Sequence, residues 1–423
     1  MQICLVYDCL YPWTVGGAER WYRALAEALV ARGHAVTYLT LRQWPAAEPP
    51  TIPGVRVVAV GPRASLYRGG RRRIWPPLRF GLGVLAHLTH HGGGYDIVHS
   101  ASFPYFSVIA AAIAAPLGRY RLVVDWWEFW TAAYWRDYLG PIGGRIGARV
   151  QRIVARLPQR ALCFSRLHAA RLVAEGGSWP TLIRGVYPAP DRSSGQPATA
   201  RLGTAPAPQP PAADPTVVFV GRHIAEKRPA AIPPALVVAR RSSPRLGAAI
   251  LGDGPERLSV ERLVLDLGLE GAVETPGFVS AAELDHRLRH ALCLILPSRR
   301  EGYGLAVLDA VSRGTPAVVV RDPDNAACDL IEPGVNGAIA ASAGPDDLAA
   351  AILEIERGGA AIRQSTAAWW AANRDQLSIE TGLGEVLAIY ESLLFTPSPD
   401  YGWGRRGVPA AGNRPPAPSG PAQ

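Results

Sequence analysis

The stretch that most constrains the fold is residues 292–320, LCLILPSRREGYGLAVLDAVSRGTPAVVV. Residues 292–296 are an apolar run of strand length, stopped by Pro297 and Ser298. Leu305, Leu308, Val311 and Ser312 then recur at helical spacing and predict a helix with one apolar face. Gly314 and Pro316 end that helix, and residues 317–320 read as the next buried strand. Two strands joined through a helix run parallel, so this is one β-loop-α-β unit of an open parallel sheet.

The loop inside that unit has the chemistry of an anion site. A helix N-terminus offers N–H groups that lack intrahelical partners, and Gly302 and Gly304 let a ligand approach the backbone. Glu301 lies in the loop, and Asp309 about one turn into the helix. Amides holding a diphosphate beside carboxylates holding hydroxyls suit a nucleotide-sugar. Ordinary acids decorating a helix start are the other reading, and the loop alone leaves both open.

At these residues the sequence resembles the retaining family 4 (group 1) glycosyltransferases of the GT-B fold. Their signature is Glu, seven residues, Glu, then a small-residue helix ending Gly-x-Pro. Here Glu301 is followed after seven residues by Asp309, and then by Gly314-Thr315-Pro316. The resemblance implies that Glu301 contacts the donor sugar and that Gly302, Tyr303, Gly304 and Leu305 line the donor. It implies that the second acid contacts the ribose, where Asp309 is one methylene shorter than the usual Glu. The implied architecture is α/β: two Rossmann-like, doubly wound parallel-sheet domains facing across a cleft.

A chain of 423 residues is too long for one ordinary core and suits two domains. The expected division is a first domain over 1–186, a Pro/Ala-rich linker over 187–215, a second domain over 216–375, a closing helix over 376–395 and a disordered tail over 396–423. Five scattered cysteines without a Cys-x-x-Cys pair predict neither zinc nor a disulfide frame. No spanning helix and no leader are expected, so the expected compartment is the cytoplasm, with peripheral attachment at the inner face of the membrane.

Charge is unevenly spread. Residues 1–186 hold 22 arginines against 9 acids, and the remainder 22 basic groups against 26 acids. A basic first half predicts an anionic partner. No nucleic-acid-binding module is recognisable, so nucleic acid is the least favoured. Arg63, Arg68, Arg71, Arg72 and Arg73 beside Tyr67, Ile74, Trp75 and Phe80 predict reversible contact with an anionic membrane, the alternative being a solvated loop.

Along the first domain, strands over 3–7, 34–40, 55–60, 96–99, 122–124, 161–164 and 182–184 alternate with helices over 19–32 and near 103–115. Gly16-Gly17-Ala18-Glu19-Arg20 resembles the family's first loop, where glycine backbone approaches the donor phosphate. It is neither a dinucleotide fingerprint nor a P-loop, lacking the third glycine and the Gly-Lys-Ser/Thr. His99 resembles the family's strand-end histidine, with Ser100 in place of a second one; a lone strand-end histidine also reads as structural. Asp125-Trp126-Trp127-Glu128 stands where the family carries a His-acid pair near the acceptor, with Trp127 in the histidine's place. His99, Asp125 and Glu128 are therefore the expected acceptor-side residues. The aromatics Trp126, Trp127, Phe129, Trp130, Tyr134 and Trp135 read equally as a sugar- or lipid-facing wall and as core.

In the second domain, Gly221-Arg222, four residues, and Lys227-Arg228 follow the strand over 216–220 and resemble the family's phosphate-gripping motif. A departing diphosphate gains charge that Arg222 can grip bidentately and Lys227 can meet with a compact ammonium. Lys227 is the chain's single lysine. Pro229, Pro233 and Pro234 must delay the next helix. Gly252, Gly254, Gly277, Phe278 and Val279 follow strands at the ligand-binding edge and match donor-contacting positions of the family. Asp322-Pro323-Asp324 is formally a metal motif of another glycosyltransferase fold and is discounted in this one. The expectation is a retaining hexosyltransferase-type enzyme with Arg222, Lys227 and Glu301 as catalytic residues. Its partners are a nucleotide-sugar donor and a glycan, lipid-linked or small-molecule acceptor, and it needs no cofactor and no metal. A nucleotide-sugar epimerase or phosphorylase of the same fold, or a non-catalytic sugar-nucleotide-binding relative, is the alternative.

Overall fold

The computed structural model of the protein describes residues 1–14, 16–45, 48–68, 71–187 and 214–395. Nearly all of the expected linker, the expected tail, and the side chains of Tyr67, Arg68, Arg71 and Arg72 in the basic cluster lie outside what is described.

The first sheet has seven strands: β1 (Gln2–Val6), β2 (Ala35–Thr40), β3 (Val55–Ala59), β4 (Ile97–Ala101), β5 (Arg121–Trp126), β6 (Arg160–Cys163) and β7 (Thr181–Leu182). They run parallel in the order β3-β2-β1-β4-β5-β6-β7, with Ile3 opposite Val36 on one side and Ile97 on the other. The central strands are buried along nearly their whole length, as a parallel sheet covered on both faces requires. The crossovers are α1 (Gly17–Ala31), α2 (Trp75–His91), α3 (Tyr105–Gly118), α4 (Ala132–Ala155) and α5 (Arg166–Ala174). In α1, Trp21, Tyr22, Leu25, Ala26 and Leu29 face inward at helical spacing. Ser165 caps α5, its hydroxyl accepting from the His168 N–H at 3.3 Å.

Helices α2 and α4 are not expected from the pattern. Pro76 and Pro77 open α2, where a missing N–H costs nothing, and Gly140-Pro141 break α4 in mid-course. Phe80, expected at a lipid surface, is core instead. The aromatic run is also core: Trp126, Phe129, Tyr134 and Trp135 are buried, and half-buried Trp127 stacks on Phe164 with centroids 3.6 Å apart.

The second sheet repeats the plan with β8 (Thr216–Val220), β9 (Gly247–Leu251), β10 (Val273–Gly277), β11 (Cys293–Leu296), β12 (Ala317–Val320) and β13 (Gly337–Ala340) in the order β10-β9-β8-β11-β12-β13. Its helices are α6 (Ile232–Ala239), α7 (Arg257–Asp266), α8 (Ala281–His290), α9 (Leu305–Val311) and α10 (Pro345–Leu377), the last kinked at Gly359. Pro233 and Pro234 fall in the first turn of α6, the one place that tolerates them. Both sheets share the doubly wound order, which places ligands outside the carboxyl ends of the strands.

The chain then returns to the first domain. Tyr187 and Val186 donate their N–H groups to the Leu377 carbonyl at 2.9 and 3.1 Å. The final helix, α11 (Ile379–Phe395), carries Tyr390 to His99, whose Nδ1 lies 2.5 Å from the Tyr390 hydroxyl.

Candidate functional site

Every strand of the second sheet that carries an expected donor residue ends at one edge. After β8 the chain turns through Gly221 and Arg222 into a single tight turn, Ala225–Lys227. Lys227 Nζ donates to Glu301 Oε1 at 2.5 Å, and Ser298 Oγ donates to the same oxygen at 2.8 Å. Glu301 is buried and held in a two-residue parallel pairing with Asn325, whose amide donates to the Ser298 and Val320 carbonyls at 3.2 and 2.8 Å. Arg222 is exposed, and its guanidinium has no hydrogen-bond or ion-pair partner among the described residues. A pinned ammonium and an unengaged guanidinium thus share one edge.

Two glycines make the edge possible. Gly252 has φ 116°, and a Cβ there would sit 1.9 Å from the Gly221 carbonyl oxygen. Gly304 caps α9 with φ 110°, and a Cβ would sit 2.7 Å from that of Ala327. Both conformations are left-handed, and both neighbours are too close for a side chain. Gly254 lies against His223, and Gly277 precedes Phe278, whose ring is exposed, and half-buried Val279.

The opposite edge belongs to the first sheet. A Cβ on Gly17 would lie 3.0 Å from Leu305 Cδ1, so the Gly16-Gly17 loop faces the start of α9 directly. Leu305, expected on the buried face, is half-buried toward this gap. Gly302 meets the Trp127 carbonyl and the Glu128 side chain. Glu128 is not a free acceptor contact as expected: it is ion-paired with Arg300 across the cleft and accepts from Trp130 Nε1 at 2.6 Å. Burial pushes its carboxyl up, but the Arg300 guanidinium, helped by His168 and the Trp130 N–H, outweighs that and holds it below the usual carboxylate range. Arg300 also lies 4.7 Å from the Tyr134 ring centroid and 5.0 Å from that of Trp130. Tyr134 donates to Glu226 at 3.1 Å and Arg299 to Asp137 at 2.7 Å, further joining the two edges.

Several of the acids and other polar groups singled out in the sequence have partners within the protein. His99 and Asp125 have 0 % exposure and bond each other at 2.7 Å beneath the cleft floor. Tyr303 is buried and donates to the Arg184 carbonyl, a domain contact. Asp309 accepts from the Tyr187 hydroxyl at 3.1 Å, and burial raises its carboxyl above the ordinary range. Asp322 and Asp324 are taken by arginines, Arg228 at 3.2 Å and Arg171 at 2.6 Å.

Sequence reasoning missed Arg300 and His168. Arg300 was hidden among neighbouring arginines, and only its arrival between Glu128 and two rings singles it out. His168 Nδ1 accepts from the Phe129 N–H at 3.0 Å, while Nε2 is buried without a hydrogen-bond partner among the described residues. Burial pushes its pKa down to about 4. The unfolded chain takes up this proton near pH 6.5 and the folded chain only near pH 4. Stability present above pH 6.5 is therefore lost as pH falls to about 4, by roughly 3 kcal/mol from this group. Urea unfolding between pH 7 and 4 should show a shallower slope for His168→Asn, which keeps an acceptor for the Phe129 N–H. His87, pushed down to about 4 by burial as well, contributes equally to both proteins. Identical slopes would remove His168 from the account.

Residues 205–369 match the family described as glycosyl transferases group 1, and residues 16–187 match the glycosyl transferase 4-like domain. The chain belongs to the group 1 glycosyl transferases. Its solved neighbours confirm the GT-B fold. This group 1 glycosyl transferase superposes on sucrose-phosphate synthase from Thermosynechococcus elongatus with a TM-score of 0.71 at 20% identity, covering 93% of this chain and 99% of that one. The UDP complex of HepE from Anabaena gives 0.66 at 18%, covering 93% and 100%. Among curated relatives, the alpha-D-kanosaminyltransferase of Streptomyces kanamyceticus is 32% identical over 90 residues, 21% of this chain and 23% of that protein. The lipopolysaccharide 1,6-galactosyltransferase of Salmonella typhimurium is 30% identical over 100 residues, 23% and 28%. The chain thus spans about a quarter of the length of these curated relatives.

Proposed function

We propose that this protein transfers a sugar from a nucleotide-diphospho-sugar to an acceptor hydroxyl, with the anomeric configuration retained and without a divalent metal. The observation that carries the reading is the cation pair at the second sheet's edge: Lys227 pinned on Glu301 at 2.5 Å, and an exposed Arg222 guanidinium without a partner among the described residues. As the bond from the anomeric carbon to the diphosphate breaks, negative charge collects on the leaving phosphate. Cations already in place then stabilise the transition state more than the bound donor. Glu301 holds Lys227 and has Oε2 left to accept from a sugar hydroxyl. The acceptor oxygen attacks from the face the diphosphate leaves, which retains configuration.

The HepE structures hold UDP and UDP-glucose, so UDP-sugars are the first donors to try. By its name the galactosyltransferase relative acts on lipopolysaccharide, so glycans and lipid-linked glycans are the first acceptor classes. A donor that binds the folded chain raises its melting temperature by mass action, so a thermal-shift screen of nucleotide-sugars should find one. With that donor, turnover should survive a chelator, and the product's anomeric proton should show retention. Loss of turnover on chelation with rescue by magnesium or manganese, or an inverted product, would overturn the corresponding half of the reading. Release of nucleotide without any acceptor would favour an epimerase-like enzyme of the same fold.

A further inference from the structure

Helix α4 presents a surface that the donor chemistry leaves unused. The chain breaks at Gly140 (φ 77°, ψ 178°), and the arm over residues 141–155 folds back on the arm before it. Small residues close that contact: a Cβ on Gly147 would lie 2.4 Å from the Trp135 ring, and one on Gly144 2.5 Å from the Arg136 backbone. Gly144, Gly147, Gln151 and Val154 are therefore buried, and the other face is turned to solvent.

That outer face combines two stripes. Ile142, Ile146 and Ile153 are 73, 60 and 51% exposed, at spacings of four and seven residues that align them along one ridge. Arg145, Arg149 and Arg156, also exposed, run beside them. Between the two arms opens a cavity of about 410 Å³ lined by Arg136, Arg145, Arg149 and Arg152 with Ile146. Arg136, Arg145 and Arg149 have no hydrogen-bond or ion-pair partner among the described residues, whereas Arg152 pairs with Glu175 at 2.6 Å. Residues 138–174 hold seven arginines and neither aspartate nor glutamate.

We propose that this face of α4 is a docking surface for an anionic lipid bilayer. The ridge of isoleucines enters the headgroup–acyl boundary, and the arginines of the notch grip lipid phosphates. An apolar ridge with arginines at its flank is the pattern of a helix lying in a membrane interface. Guanidinium forks match phosphate oxygens bidentately, and the leaflet's negative surface potential supplies attraction that salt screens. Nucleic acid fits less well, because the face offers aliphatic rather than aromatic side chains for bases to stack on. No helix among the described residues is long and apolar enough to cross a membrane. The first arm of α4 carries Tyr134 and Asp137, which reach Glu226 and Arg299 in loops of the second domain. Docking here sets the cleft mouth beside the lipid surface. Its use for a lipid-linked acceptor rests on the proposed function; the binding itself does not.

The test is sedimentation of the full chain with vesicles of phosphatidylcholine, with and without phosphatidylglycerol, in the absence of donor. Binding is expected only to the anionic vesicles and should fade in high salt. Each removed charge near the surface weakens partitioning about fivefold, so Arg145→Gln with Arg149→Gln should reduce it on the order of 25-fold. Ile142→Ser with Ile146→Ser should reduce it while leaving salt sensitivity in place. A UDP-induced thermal shift equal to wild type shows that the variants are folded; should no nucleotide shift any variant, far-ultraviolet circular dichroism serves instead, and the binding result stands. The proposal is overturned if the wild type ignores anionic vesicles at low salt. It is equally overturned if both double variants bind as wild type does, or if Arg63→Gln with Arg73→Gln abolishes binding instead. Complete displacement by glycerol phosphate at a concentration too low to alter ionic strength would show a soluble-anion site and would also sink it.

Discussion

Lys227→Ala lowers turnover by about 100- to 1,000-fold while the donor Michaelis constant changes little. The reason is timing: the leaving diphosphate gains its charge on the way to the transition state, so a cation at 227 acts mostly there. The structure adds that Lys227 is held by Glu301 at 2.5 Å, with Ser298 on the same oxygen. Glu301→Gln keeps that shape but removes the charge that aims the ammonium, so it too acts mainly on turnover. Because the two residues form one unit, the double variant should cost far less than the product of the singles. Lys227→Arg rescues poorly, since a planar fork cannot take the place of a point charge against Glu301. Asp309→Ala is the contrast. Its carboxyl sits beside Tyr187, and a ribose contact is similar in bound donor and transition state, so this change weakens donor binding instead. Should Asp309→Ala leave donor affinity untouched while Lys227→Ala only raises the donor Michaelis constant, these roles are reversed and the assignment falls.

What the sequence discloses and what it hides divide along a physical line. Strands of a parallel sheet buried on both faces are continuous apolar runs, so β1, β8, β11 and β12 are visible at once. The loop after such a strand is the ligand edge by rule, which puts Arg222, Lys227 and Glu301 where a ligand can reach, while the roles expected of them come from the family resemblance. Helix α4 defeats the pattern because Gly140-Pro141 interrupt it and because the glycines at 144 and 147, poor helix formers, are there to seat it on Trp135. Helix α2 is masked by its own opening prolines.

Residue roles across the cleft are harder to read, because they depend on what arrives from the other domain. Glu128 looks like a polar group offered to a ligand until Arg300 is placed on it. Tyr303 sits in the donor loop by sequence, yet its hydroxyl turns to the Arg184 carbonyl. Asp322 and Asp324 have metal-like spacing, but each meets an arginine far off in the chain. No local pattern encodes these pairings, since both partners must be positioned before either has a function.

Asp125→Ala destabilises the protein by about 3–5 kcal/mol and loosens α11. Asp125 is wholly buried, and its two oxygens are both used: Oδ2 accepts from Trp21 Nε1 at 3.0 Å and Oδ1 from His99 Nε2 at 2.7 Å. A carboxylate only accepts, so the His99 proton resides on Nε2 and Nδ1 is left to accept from the Tyr390 hydroxyl. One carboxylate thereby fixes the tautomer that receives the final helix. Removing it strands two buried N–H donors and leaves the imidazole free to turn and to change tautomer, so its contact with Tyr390 loses its fixed geometry. Tyr390→Phe breaks only the last link and should cost about 1 kcal/mol. Urea unfolding measures both, and limited proteolysis within residues 379–395 reports the release of α11 separately. The acceptor-side role suggested by position makes the opposite forecast: a variant of ordinary stability whose acceptor Michaelis constant rises. An Asp125→Ala protein that unfolds within about 0.5 kcal/mol of wild type, with α11 as resistant as before, would return this residue to the cleft and refute the clamp.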